Sequence, residues 1–299
     1  MKQRSPTLEG FQTMFRLPSL GLAEIAWRWS FGLAATAVFT FAIREYLATL
    51  PVTAGEMLLL RTRQPILMWQ ALSRILQGTA PRAAAAFILL TLALAVAWIV
   101  LASLGRAATL KAVIEYFRGS IASKRCLPSL FALNSLRAAT MLAATVGVVG
   151  AMLVARSASS VDDSSPARVL LIFWLLTILI AVACSLLNWY LSLAAVFAVR
   201  DGTPAFTALT AATDLCRTHP GALVAAGTWF GIAHAIVFVI ASSVAAFPLG
   251  FAEVLPASMI FGGVLLVTLL YFAAVDFLYV GRLASYMFMI LPKEEATEN

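Results

Sequence analysis

VLLIFWLLTILIAVACSLLNWYLSLAAVFAV, residues 169–199, runs for 31 positions without an acidic or basic side chain. A bilayer core of roughly 30 Å is crossed by about 20 apolar residues rising 1.5 Å each. The stretch is therefore one membrane span with a helical extension. It is far longer than the roughly 10-residue alternating segments of a membrane barrel.

Similar runs lie on either side. Ala83–Gly105 is bracketed by Arg82 and Arg106, and Ala138–Ala155 by Arg137 and Arg156. Thr218–Ala252 and Val254–Val275 follow, with Pro248 closing the first and Pro256 near the start of the second. Nearest the N-terminus only Trp29–Ile43 is free of charge, so that span must reach Leu50 and carry Arg44 and Glu45 towards the headgroups before Pro51 stops it. The fold expected is an all-α, polytopic transmembrane helical bundle of about six spans, 30–50, 83–104, 138–156, 168–190, 221–246 and 257–280, with interfacial amphipathic helices. Residues 1–29 form a cytoplasmic leader, 30–292 the membrane domain and 293–299 a polar tail. The long charged leader marks the first span as an uncleaved anchor rather than a secretory signal.

Composition agrees. The chain is 62% hydrophobic and 12% charged, with a mean hydropathy of +0.92, against about 45–50% and 25% in soluble domains. That excludes a water-soluble fold and a disordered chain. Cys126, Cys184 and Cys216 have neither the placement of structural disulfides nor the spacing of a metal site. The net charge of +7 reads as topology rather than as affinity for nucleic acid. Placing both termini in the cytoplasm puts 14 of the 21 Lys and Arg on that side. The expected location is the cell (inner, cytoplasmic) membrane and the expected partner the lipid bilayer. Arg118, Lys124 and Arg125 form a basic strip that also suits anionic headgroups, at about 1 kcal/mol each.

The segments between spans carry their own signals. Leu20–Ser30 reads equally as an interfacial helix or as the start of the first span. Thr53 and Glu56 have capping-box spacing. Pro65 opens a second helix whose apolar face holds Met68, Trp69, Leu72, Ile75 and Leu76, and Gly78 is expected to close it. The pair suits an outer amphipathic hairpin, or a re-entrant element. Leu110, Val113, Ile114 and Phe117 follow helical spacing, as do Phe206, Leu209 and Leu215 after a Thr203 cap and Pro204, so both segments are expected to lie under the membrane. Ile88–Val113 laid on Trp174–Val199 aligns Leu89-Leu90-Thr91 with Leu175-Leu176-Thr177, a weak sign of duplication. Small-residue stripes, Gly147 with its neighbours in one span and Gly227 with Gly231 in another, are expected to pack helices within the molecule, with a dimer seam as the alternative for Gly227 and Gly231.

The stretch LAAVFAVRDGTPAFTALTAATDLCRTHPGALVAAG, residues 193–227, resembles the six-span membrane-domain superfamily of the glycerophosphodiester phosphodiesterase membrane domain and the YciC-like inner-membrane proteins. The likeness lies in a span running into the Asp201-Gly202 turn, a small-residue helix with Ala205, Ala208 and Thr213, and a turn at Pro220-Gly221 into a Gly-containing span. It implies a membrane module and carries over no catalytic residue.

Candidate chemistry is sparse. His234 falls near the middle of its span, where an ionisable group is a functional suspect by default, although packing suits it better. Asp276 is placed to pair with Arg28 or Arg200, and Asn188 to join helices. No nucleophile elbow, zinc-protease helix, phosphate loop or dinucleotide fingerprint occurs. No catalytic, cofactor or metal residues are assigned. The expectation is a non-enzymatic structural, assembly or accessory protein, with a small-molecule or lipid permease as the alternative.

Overall fold

The computed structural model describes residues 5–50, 52–62, 64–118, 126–158, 166–251 and 255–290. Their regular structure is helical: α1 (Pro6–Arg16), α2 (Pro18–Ala48), α3 (Ala54–Arg61), α4 (Pro65–Arg118), α5 (Leu127–Ser157), α6 (Pro166–Asp201), α7 (Ala205–Thr218), α8 (Pro220–Leu249) and α9 (Ala257–Ile290). Among the described residues, six of these helices (α2, α4, α5, α6, α8 and α9) are long and apolar enough to cross a membrane. The chain is an integral, multi-pass membrane protein.

The spanning helices outrun their spans, and several expectations change with that. Leu20–Ser30 belongs to α2, continuous with the first span. Pro51 lies outside the described residues, and α2 ends at Ala48. The capping box forms at α3: the Thr53 hydroxyl accepts from the Glu56 backbone N–H, and the Glu56 carboxylate accepts from the Thr53 N–H. Gly78 does not end a helix. Here α4 continues for 54 residues, with Pro81 inside it. The bond that Pro81 cannot make would end on the Gln77 carbonyl, ahead of the apolar run that begins at Ala83. Water can serve that carbonyl there, whereas hydrocarbon could not. The segment 105–118 is likewise the end of α4 rather than a separate helix.

The separate helix expected after Thr203 is α7, but it starts differently. Pro204 takes the N-cap and makes no side-chain cap bond, while the Thr203 carbonyl accepts from the Ser129 hydroxyl. Its inward face is small: Ala205, Ala208, Ala212 and Leu215 are buried, whereas Phe206 is 80% exposed.

The chain forms two compact units, Met1–Trp27 with Ala102–Asn299, and Arg28–Leu101. In the smaller one, the Tyr46 and Thr79 hydroxyls share a 2.8 Å hydrogen bond. In the larger, α5 packs along α6, α8 along α9, α1 along α9, and α7 beside α6. Its core joins the last turns of α4 (Leu110, Val113, Ile114), the first of α5 (Leu130, Leu133) and Leu191–Val199 of α6. It continues through α7, Leu223 and Ala226 of α8, and Leu283–Met287 of α9. The middles of these helices instead turn large apolar side chains outward, among them Leu179, Phe238 and Leu270. Apolar burial lowers free energy only where the alternative is water; lipid tails solvate Leu as well as another Leu does. The helices therefore pack most densely where they leave the hydrocarbon.

Candidate functional site

Below the spans, buried polar side chains stitch the larger unit together. Glu24 is fully buried, and its Oε2 accepts from Trp27 Nε1 at 2.9 Å and from Thr109 Oγ1 at 2.6 Å. Asn134 Nδ2 donates to Ser103 Oγ at 2.9 Å. One helical turn after Asn134, Arg137 Nη2 donates to Ser192 Oγ at 2.8 Å, and Ser192 donates to the Asn188 carbonyl. Arg137 is 2% exposed, and its Nε and Nη1 are buried with no hydrogen-bond partner among the described residues. An uncompensated buried cation is costly, by several kcal/mol per ion.

A cleft of about 510 Å³ opens between α5 and α6 just above this arginine. Asn188 and Met141 line it, each one turn from the Ser192–Arg137 contact, and Thr145, Cys184, Ser185 and Thr177 continue it along the helices. The antiparallel register is set by three contacts. Ser192 meets Arg137 at 2.8 Å, Cys184 Sγ lies 3.8 Å from Met141 Sδ, and Ile180 lies 3.2 Å from the Cβ position of Gly147.

The sequence-predicted residues fall into separate places. His234 Nε2 sits 2.8 Å from the Tyr271 hydroxyl, a partner on α9 that sequence reasoning did not name. Its side chain is exposed, on the outer face of α8. Asp276 is buried on α9. Arg200, expected as one of its partners, instead donates to the Asp201 carboxylate and to the Ile290 carbonyl. Asn188 lines the cleft. Gly227 and Gly231 pack against no helix of this chain among the described residues: a Cβ at either would meet nothing within 4 Å. The face of α8 that turns inward is Leu223, Ala226 and Phe230, about 100° round the helix from that stripe. Lys124 and Arg125 lie outside the described residues, as does the Arg118 side chain.

Gly147, expected to pack helices, does so against Ile180 of α6, and closer approaches occur elsewhere. A Cβ on Gly10 of α1 would fall 2.1 Å from Ser285 Oγ and 2.5 Å from the Gly281 carbonyl oxygen on α9. Beside them Phe11 stacks on Phe230 with ring centroids 4.4 Å apart, and Ser285 Oγ donates to the Pro6 carbonyl. The Arg137 seam was also missed. Its signal was present as Arg137 and Asn188-x-x-x-Ser192, of which Arg137 and Ser192 meet only once the helices are paired, while Asn134 turns to Ser103.

Among the described residues no three His, Cys, Asp or Glu side chains gather as metal ligands. No family model, curated protein or solved structure matches the chain.

Proposed function

We propose that this chain is a non-enzymatic structural, assembly or accessory component of the cell (cytoplasmic) membrane, with both termini on the cytoplasmic side. The observation that supports this most is the distribution of burial. The dense core sits where the helices extend beyond their apolar middles, and those middles offer outward apolar faces rather than a polar path. A carrier gathers polar groups around a site near the midplane. His234 instead closes onto Tyr271 at the outer face of α8. The excess of basic residues on one side supports the sidedness.

The alternative, a small-molecule or lipid permease, draws on His234 and Asp276, ionisable groups on spanning helices, and on the weak duplication. Proteoliposomes carrying the full chain and an entrapped pH dye separate the two. The structural reading expects proton leak equal to that of empty liposomes, unchanged in His234→Ala. Leak above the empty control that His234→Ala abolishes would establish a carrier instead.

A further inference from the structure

We infer that the cleft between α5 and α6 is a binding site for one anionic phospholipid, with an acyl chain along the cleft and its phosphate on Arg137. This goes beyond the structural role proposed above and uses different residues from the basic strip expected to touch headgroups.

Three observations carry it. The first is charge. Arg137 immediately precedes the apolar run Ala138–Ala155, at the depth of headgroups, yet it is 2% exposed and does not reach bulk water as a boundary arginine ordinarily does. Nη2 is used on Ser192 while Nε and Nη1 are buried and unpartnered; once Nη2 leaves Ser192 it completes, with either of them, the parallel two-donor fork that suits phosphate.

The second is position. The cleft begins at Asn188 and Met141, one turn or about 5.4 Å from the Arg137–Ser192 contact and within reach of an arginine side chain. Release from Ser192 brings the guanidinium to that end of the cleft.

The third is shape. From Asn188 to Thr177 the lining covers about 17 Å of helix, close to the roughly 15 Å depth of one leaflet. Its volume, about 510 Å³, lies within the range of about 300–1,000 Å³ typical of ligand clefts. The walls are Ala144, Val148, Ile180 and Ala181, with hydroxyls at intervals. A chain attached to a charged head fits this arrangement, whereas a free inorganic anion would leave the apolar walls unused.

The test is native mass spectrometry of the full chain in mild detergent with equal amounts of palmitoyl-oleoyl phosphatidylglycerol and phosphatidylcholine. The wild type is expected to retain phosphatidylglycerol about tenfold over phosphatidylcholine, the size of one charge-assisted contact. In Arg137→Gln the ratio should fall to about one. Ala144→Phe fills the cleft without touching the arginine, so it carries the test even if Arg137→Gln does not fold, and it too should erase the preference. An even ratio in the wild type, or a preference that survives Ala144→Phe, overturns the site. Neither result depends on proton leak, so the structural reading and the lipid site stand or fall separately.

Discussion

Single glycines differ sharply in what they do. Gly10 and Gly281 let α1 lie against α9 at backbone distance, whereas Gly231 faces open space. Gly10→Ala is expected to lower stability by about 1–3 kcal/mol, the usual cost of overpacking, and to expose α1 to protease. Gly231→Ala should leave both unchanged. Thermal unfolding and limited proteolysis in detergent read the contrast. The cysteines differ as well. Desolvation by burial raises the Cys216 thiol above its ordinary value. Its maleimide labelling should therefore climb with pH at a higher midpoint than that of an exposed cysteine placed at Thr210 in a Cys216→Ser background. Little of this was legible in the sequence. Small-residue spacing singles out Gly227 and Gly231 as readily as Gly10. Which glycine meets a neighbour depends on how α8 is rotated, and Phe230, stacked on Phe11 and 3.0 Å from the Cβ position of Gly281, holds that rotation.

The start of α3 was easier to read than most helix ends. Thr53 and Glu56 specify α3 locally, since every partner in a capping box lies within four residues. The backbone N–H of Thr53, followed by its hydroxyl, holds the Glu56 carboxyl below its usual range. A depressed folded pKa stabilises the helix above the unfolded value, and that contribution is lost as pH falls through the lowered folded value. Hydrogen exchange corrected for intrinsic rate should show the Met57 amide, bonded to the Thr53 carbonyl, losing protection at that acidic step. Thr53→Ala should speed its exchange about fivefold at neutral pH, corresponding to about 1 kcal/mol for a lost cap. Helix ends were misread where local signals are weak beside a long apolar neighbour. Gly78 costs only about 1 kcal/mol inside a helix, too little to stop one that must continue as a span. The segment 105–118 has the amphipathic pattern of a surface helix because its apolar side meets the core, and that pattern is blind to its continuity with α4.

For the whole molecule, five of the spans followed from run lengths, because hydrocarbon thickness leaves few alternatives, and the first needed its short run extended past Arg44 and Glu45. The site was not legible, since it exists only where two antiparallel helices align Arg137 with Ser192. Sidedness is checked with reporter fusions. Position 124 should report the cytoplasm, and positions 77 and 159 the opposite side. A reporter at 124 facing outward would reverse the orientation.

The pairing of α1 with α9 also constrains how the protein is made. Gly10 and Gly281 are 271 residues apart, and at about 5–20 residues per second a ribosome needs about 14–54 s to synthesise that interval. Until then α1 lacks its main docking surface, α9, and only α8, through Phe230 against Phe11, precedes it. A truncated nascent chain therefore displays a first helix held only by α8 to quality-control proteases, and the arrival of the last span is what conceals it.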